Sequence, residues 1–221
     1  MSLYTHTTTN PLPAIRVPAG LRMEECINVE LLAWMGTTTV EAVIKRMAND
    51  HLAFVAYINN IPAAFGWMAR GKALIGELNH ELILPVGNRY LWNFRTMESF
   101  RGLGIYPALL QYIVRYENAK SNRFWIIHAP ENNASLKGIK KAGFQFVGTL
   151  YSSNAGAIIE NTSMSRNRSD LLAEMNIAIS EEESVSCWNC SSPHLKKRKA
   201  ECCCAKSGTE CIGNNLLSLA S

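Results

Sequence analysis

Cysteine is almost missing from the body of this 221-residue chain. The first 186 residues hold only Cys26, so no disulfide framework builds the fold. Long apolar runs are lacking as well. The longest nearly uncharged stretch, residues 52–69, is broken by Asn59-Asn60 and Pro62, which excludes a membrane-spanning helix there. The opening residues MSLYTHTTTNPLP contain no basic region leading into an apolar one, so no secretory signal is expected. Charge of one sign is also scarce. A formal net charge of +4 is too small to imply a polyanionic partner, and the densest basic run, Lys196 to Lys199, reads as a solvated tail. The expectation is a soluble, cytoplasmic protein with no membrane span and no nucleic-acid partner. No internal repeat is present.

What is present is a globular pattern: 48% hydrophobic and 18% charged residues are enough for one sizeable core. AIRVP (14–18) reads as a short strand, VELLAWM (29–35) and TVEAVIKRMAND (39–50) as helices, the second capped by Thr39. LAFVAYI and IPAAFGWMA flank Asn59-Asn60 as a hairpin, since asparagine tolerates the left-handed backbone of tight turns. ALIGELNHELIL (73–84) reads as one further strand. RYLWNFRT (89–96) is a strand, residues 105–117 a helix and RFWII (123–127) a short strand apolar on both faces. ENNASLKGIKKA is a helix closed by Gly143, and FQFVGTLY and GAIIENTSM are final strands. This order implies an α/β (α+β) fold: a mixed, mostly antiparallel twisted sheet with one central parallel βαβ crossover and helices on both faces. The expected organisation is a polar leader at 1–12, a catalytic domain at 13–168 and an appendage at 169–221. That appendage comprises a short helix, the acidic run Glu181 to Glu183 and a cysteine-rich tail.

Between the strand at 89–96 and the helix at 105–117 stands FRGLGIYP. A helix N-terminus leaves backbone N–H groups without partners and favours negative charge. Gly102 and Gly104 let the main chain close on an anion without a Cβ in the way, and Arg101 adds a cation. The loop lacks Gly-Lys-Ser/Thr and a third glycine, which excludes the nucleotide-triphosphate and dinucleotide fingerprints. On spacing alone an ordinary strand-to-helix turn explains it equally well.

About thirty residues on stands ENNASLKGIKKAGFQFVG. Together the two stretches resemble the GNAT superfamily of N-acyltransferases, which carry Arg/Gln-x-x-Gly-x-Gly/Ala and, downstream, Asn-x-x-Ala/Ser followed by a tyrosine and Gly-Phe. Arg101 and Gly104 match the first motif; Asn132, Ser135, Gly143 and Phe144 match the second. The resemblance covers roughly residues 13–165. It implies acetyl-CoA or another acyl-CoA as co-substrate, with an amine as acceptor. It implies that the diphosphate rests on Arg101, Gly102, Leu103, Gly104, Ile105 and Tyr106. The carbonyl would be polarised by the strand around Phe94, Arg95 and Thr96, with Asn132 and Ser135 beside the carrier arm or holding the strand–helix turn. Tyr106 stands where the family has a small residue, and Ile139 where many relatives place a tyrosine that protonates the leaving thiolate.

Acyl transfer to an amine needs a base, because the amine is mostly protonated near neutral pH. Glu77, Glu81 and His128 are the candidates, with Tyr151 as a candidate acid. Glu77 and Glu81, four apart on the expected strand, share a face; His80 faces away. Each also has a plain structural explanation, as a half-exposed strand residue or a histidine satisfied by a loop carbonyl. Tyr90, Trp92, Phe94, Phe124 and Trp125 read mostly as core; an alternative is a groove for a long acyl chain. In the tail, Cys187, Cys190, Cys202, Cys204 and Cys211 could hold zinc, though the second half lacks the Cys-x-x-Cys of a zinc ribbon, and a reduced tail without metal explains them as well. A catalytically silent acyl-CoA sensor or metal-dependent interaction protein is the alternative to an enzyme.

Overall fold

A computed structural model describes residues 1–129, 132–153 and 156–181. In chain order the elements are β1 (Ser2–Thr7), β2 (Leu21–Glu25), α1 (Val29–Gly36), α2 (Val40–Ala48), β3 (His51–Ile58) and β4 (Ile61–Ala69). Then follow β5 (Lys72–Ile75), β6 (His80–Ile83), β7 (Asn88–Thr96), α3 (Ile105–Glu117), β8 (Arg123–His128) and α4 (Asn133–Lys141). The last are β9 (Gln145–Ser153), β10 (Gly156–Ile159), α5 (Ser163–Arg166), α6 (Ser169–Glu174) and β11 (Ala178–Ile179). Among the described residues no helix is long and apolar enough to cross a membrane.

The described residues divide into two units, Tyr4–Lys72 with Val86–Gln145, and Met1–Leu3 with Ala73–Pro85 and those described between 146 and 181. In the first, strands run in the order β1-β8-β7-β4-β3-β2. The pairs β2–β3, β3–β4 and β4–β7 are antiparallel, and β7–β8 is the parallel pair that α3 connects. This is the mixed α/β sheet the sequence implies.

Alternation along β3 builds the two layers. Phe54 and Ala56 join the core under α3 and α4, with Leu109, Ile113 and Ile139. Ala53, Val55 and Tyr57 join the opposite core under α1 and α2, with Leu32, Met35 and Val43. Asn28 and Thr39 cap α1 and α2, accepting from the amides of Leu31 and Ala42, each cap contributing about 1 kcal/mol. The β3–β4 hairpin turns on Asn59 and Asn60, both left-handed at φ 49° and 67°, as the sequence reading required. At the far end of α3 the fully buried Glu117 bridges Arg70 and Arg89, tying the helix to β4 and β7.

In the second unit β9 and β10 form a hairpin, β11 lies parallel to β10, and β5 pairs β6. Leu172, Met175 and Ile177 are buried, so residues on both sides of position 168 belong to one unit.

Three expectations need correction. Residues 1–12 are not merely a polar leader: Ser2–Thr7 form β1 beside β8, with Leu3, Tyr4, Thr5 and His6 buried. Residues 11–18 form no strand; Pro11, Pro13 and Pro18 each remove a ladder donor. Instead the Pro13 carbonyl accepts from Nε2 of Gln111 at 2.8 Å. Residues 73–84 are not one strand but a hairpin. A turn at Gly76–Leu78 and Asn79, left-handed at φ 45°, separates β5 from β6. Glu77 therefore stands in a turn rather than on a strand face shared with Glu81.

Candidate active site

The site begins with a break in the period-two pattern of β7. Phe65 pairs with Arg95 and Trp67 with Trp92, so Gly66 alone faces Asn93 and Phe94. This is a β-bulge, and Asn93 takes its left-handed conformation at φ 51°. The consequence is visible two residues apart: Trp92 packs with the α1/α2 core, whereas Phe94 packs with the α3/α4 core. A regular strand would have put both on one face.

The bulge also turns backbone groups. The Met97 amide donates to the Ala63 carbonyl on β4. Alternation then points the Phe94 and Thr96 amides the other way, past the last described β7–β8 pair, Leu91 with Ile126. The Thr96 carbonyl agrees with this, since it accepts from Nε of Arg101 at 3.4 Å. The two parallel strands part here, and a cleft of about 710 Å³ opens.

The loop from Arg101 forms one wall. Gly102 and Gly104 both lie in the left-handed region, at φ 81° and 79°, and Gly104 is the residue before the first turn of α3. No side chain caps that end. The Arg101 amide donates to the Glu98 carbonyl, which takes it out of the expected cradle. Among the described residues, the amides of Gly102, Leu103, Gly104, Ile105 and Tyr106 have no acceptor, and Pro107 brings no N–H. Five consecutive donors without acceptors therefore lead into the mouth of α3, where the helix dipole adds positive potential.

The opposite wall is α4. Asn132 caps it, accepting from the Ser135 amide at 3.0 Å, which favours its turn-holding role. Tyr106 reaches across from α3: its hydroxyl lies 3.2 Å from Oγ of Ser135, and its ring stands 5.4 Å from that of Phe94. Burial pushes the Tyr106 phenol up to about 12, against the opposing effect of the Ser135 hydrogen bond.

The cleft gathers ten of the eleven residues expected to hold the co-substrate: Phe94, Arg95, Thr96, Arg101, Gly102, Gly104, Ile105, Tyr106, Asn132 and Ser135. Leu103 is left out of the lining; its side chain is exposed. Phe100, Pro107, Ala134, Lys137, Gly138 and Lys141 also line it and were not anticipated. Lys137 and Lys141 had a legible signal: they repeat at four residues on the helix after Asn132. Four cationic side chains line the cleft, Arg101 among them paired with Glu98 at 3.3 Å, and among the described residues no carboxylate lines it.

The candidate bases are divided between the two units. His128 ends β8, buried, with its Nε2 3.0 Å from the Asn132 carbonyl. A carbonyl only accepts, so Nε2 is the donor of this bond. Glu77, Glu81 and Tyr151 belong to the other unit, Glu81 exposed on β6 and Tyr151 half-buried on β9. His80 faces inward there, with Nε2 3.0 Å from the Met175 carbonyl.

Ile139 is fully buried in the α3/α4 core, with no polar atom to offer the site. Of the aromatics, Tyr90, Phe124 and Trp125 are core, and Trp125 is fixed by a 2.7 Å bond to Oδ1 of Asn88. The expected zinc ligands Cys187, Cys190, Cys202, Cys204 and Cys211 lie outside the described residues. Among the described residues no cluster of His, Cys, Asp or Glu could hold a metal.

No family model matches the sequence, and no curated protein matches it. Among solved structures the chain is similar to a GCN5-related N-acetyltransferase from Kribbella flavida, at 14% identity and a TM-score of 0.48. That match covers 66% of this chain and 53% of the other, so the chain spans about half of that relative's length. A predicted acetyltransferase with acetyl-CoA from Clostridium acetobutylicum shares 15% identity, covering 57% of this chain and 90% of its own, at a TM-score of 0.40. An aminoglycoside acetyltransferase from an uncultured soil metagenomic sample, in complex with sisomicin, shares 10% identity over 56% and 88%, at 0.44.

Proposed function

We propose that this chain is a GNAT-type N-acyltransferase that moves an acyl group, most simply acetyl, from an acyl-CoA to a primary amine by direct attack in a ternary complex. The observation that carries the reading is the set of five amides without acceptors at the mouth of α3, opening onto the gap that the Asn93 bulge makes beside β7. The residues fit the carrier: a diphosphate needs donors without a Cβ in front of them, and a cleft that no carboxylate lines among the described residues tolerates its charge.

The thioester supplies an activated acyl carbon. The Phe94 and Thr96 amides face the gap and would polarise its carbonyl, which is worth most where water is excluded. The amine must lose a proton before or as it attacks. His128 is the base we favour, because its ring is held by the carbonyl of Asn132, a residue that lines the cleft. Glu77, Glu81 and Tyr151 are the other candidates, and substitution of each alongside His128→Asn ranks them by loss of kcat/KM.

Acetyl is preferred to a fatty acyl group because Trp125, one wall of the alternative groove, is fully buried and hydrogen-bonded to Asn88. One observation favours a second reading, a non-catalytic acyl-CoA binder: Ile139 gives the leaving thiolate no proton donor. A thiol-release assay with acetyl-CoA across a panel of amines separates the two. Thiol release that depends on the amine supports transfer; saturable binding with no release supports the sensor.

A further inference from the structure

The charge of the cleft exceeds what a diphosphate at the mouth of α3 requires. Arg101 stands beside that mouth, while Arg95 already donates to the Met35 carbonyl at 3.2 Å and to Oγ1 of Thr37 at 2.6 Å. That leaves Lys137 and Lys141 on the opposite wall, both exposed. They are four residues apart on α4, so their ammonium groups project from one helix face, about one turn apart. Among the described residues neither forms an ion pair or a side-chain hydrogen bond, and no carboxylate lines the cleft to neutralise them. Two like charges at this spacing repel each other mildly. They are stabilised by an anion placed between them.

We infer that Lys137 and Lys141 form a second anion subsite, for a phosphate monoester separate from the diphosphate, and that they make the protein select the 3′-phosphorylated carrier over its dephosphorylated form. This rests on the acyl-CoA reading of the same cleft. A phosphate monoester carries nearly two charges at neutral pH and presents three acceptor oxygens, which suits two point-charge donors. The diphosphate, held by main-chain amides, gives no such selection.

The test is calorimetric titration of the full chain with coenzyme A and with dephospho-coenzyme A, in the wild type and in Lys137→Ala/Lys141→Ala. The wild type should bind coenzyme A about tenfold more tightly, the scale of one well-made hydrogen bond to a charged group. The double variant should bind both carriers alike, at the wild type's level for dephospho-coenzyme A, and Lys137→Arg/Lys141→Arg should restore the preference. Equal binding of the two carriers by the wild type, or a preference that survives in the alanine variant, overturns the subsite. Binding of dephospho-coenzyme A in either case leaves the acyl-CoA reading standing; if neither carrier binds, both fall.

Discussion

A methyl group on Gly138 would lie 2.7 Å from Cε1 of Tyr106 and nearer still to Cδ1. The tyrosine ring thus occupies the space that any side chain at 138 would need, and it sets the separation of α3 and α4 at the cleft. Gly138→Ala must push the ring away or part the helices. The expected cost is about 1–3 kcal/mol, read as a lower denaturation midpoint. Tyr106→Ala should relieve the clash, so the double variant loses less than the sum of the two singles.

The two glycines of the loop differ in a measurable way. A Cβ at Gly102 meets nothing within 4 Å, whereas one at Gly104 comes within 3.2 Å of the Arg16 carbonyl. Both sit at positive φ. Gly102→Ala should therefore show the conformational cost alone, about 1–2 kcal/mol. Gly104→Ala should cost more and should also weaken coenzyme A, because its amide belongs to the mouth of α3. Equilibrium denaturation and carrier titration on both variants check this.

Glu117 couples stability to pH. Burial alone would raise its carboxyl, but the hydrogen bonds and charges of Arg70 and Arg89 outweigh burial and hold it below its ordinary value. A carboxyl lowered on folding contributes stability above its unfolded pKa, about 4.3, and loses it as pH falls through the folded value. Glu117→Gln should lose about 3 kcal/mol at pH 7, with the gap to the wild type closing below about pH 4. Urea titrations at several pH values measure it.

Much of the fold was legible because local chemistry agreed with the final packing. The bounds of α3, the caps Asn28 and Thr39 and the Asn59-Asn60 turn all follow from residues that act on their immediate neighbours. The failures have a physical source too. Asn79 takes the left-handed conformation in the middle of an alternating run, which turns one expected strand into two and moves Glu77 into the turn. The bulge at Asn93 was invisible for a related reason. It depends on Gly66 across the sheet, and it sends Trp92 and Phe94 to opposite faces although their spacing predicts one face. Of the site, the glycine loop and Asn132 could be read, being motif and cap. Tyr106 against Gly138 required knowing how α3 meets α4, as did the place of the lysines in the cleft, although their four-residue spacing was legible.

Ile139 gives a sharper check on the leaving-group step. Replacing it by tyrosine introduces a ring into a fully buried position of the core rather than a hydroxyl into the cleft. Ile139→Tyr should destabilise by about 1–3 kcal/mol and leave turnover no higher than in the wild type. A gain in kcat would show that the side chain reaches the site after all.

The central claim is that the main-chain amides from Gly102 to Tyr106 hold the diphosphate of a coenzyme A thioester. Backbone amide NMR of the labelled full chain during a coenzyme A titration tests it directly. The account predicts saturable shifts at Gly102, Leu103, Gly104, Ile105 and Tyr106, with the Arg101 amide, already bonded to Glu98, moving least. Saturation that leaves those five resonances in place while others move, or no saturable shift at all, contradicts it.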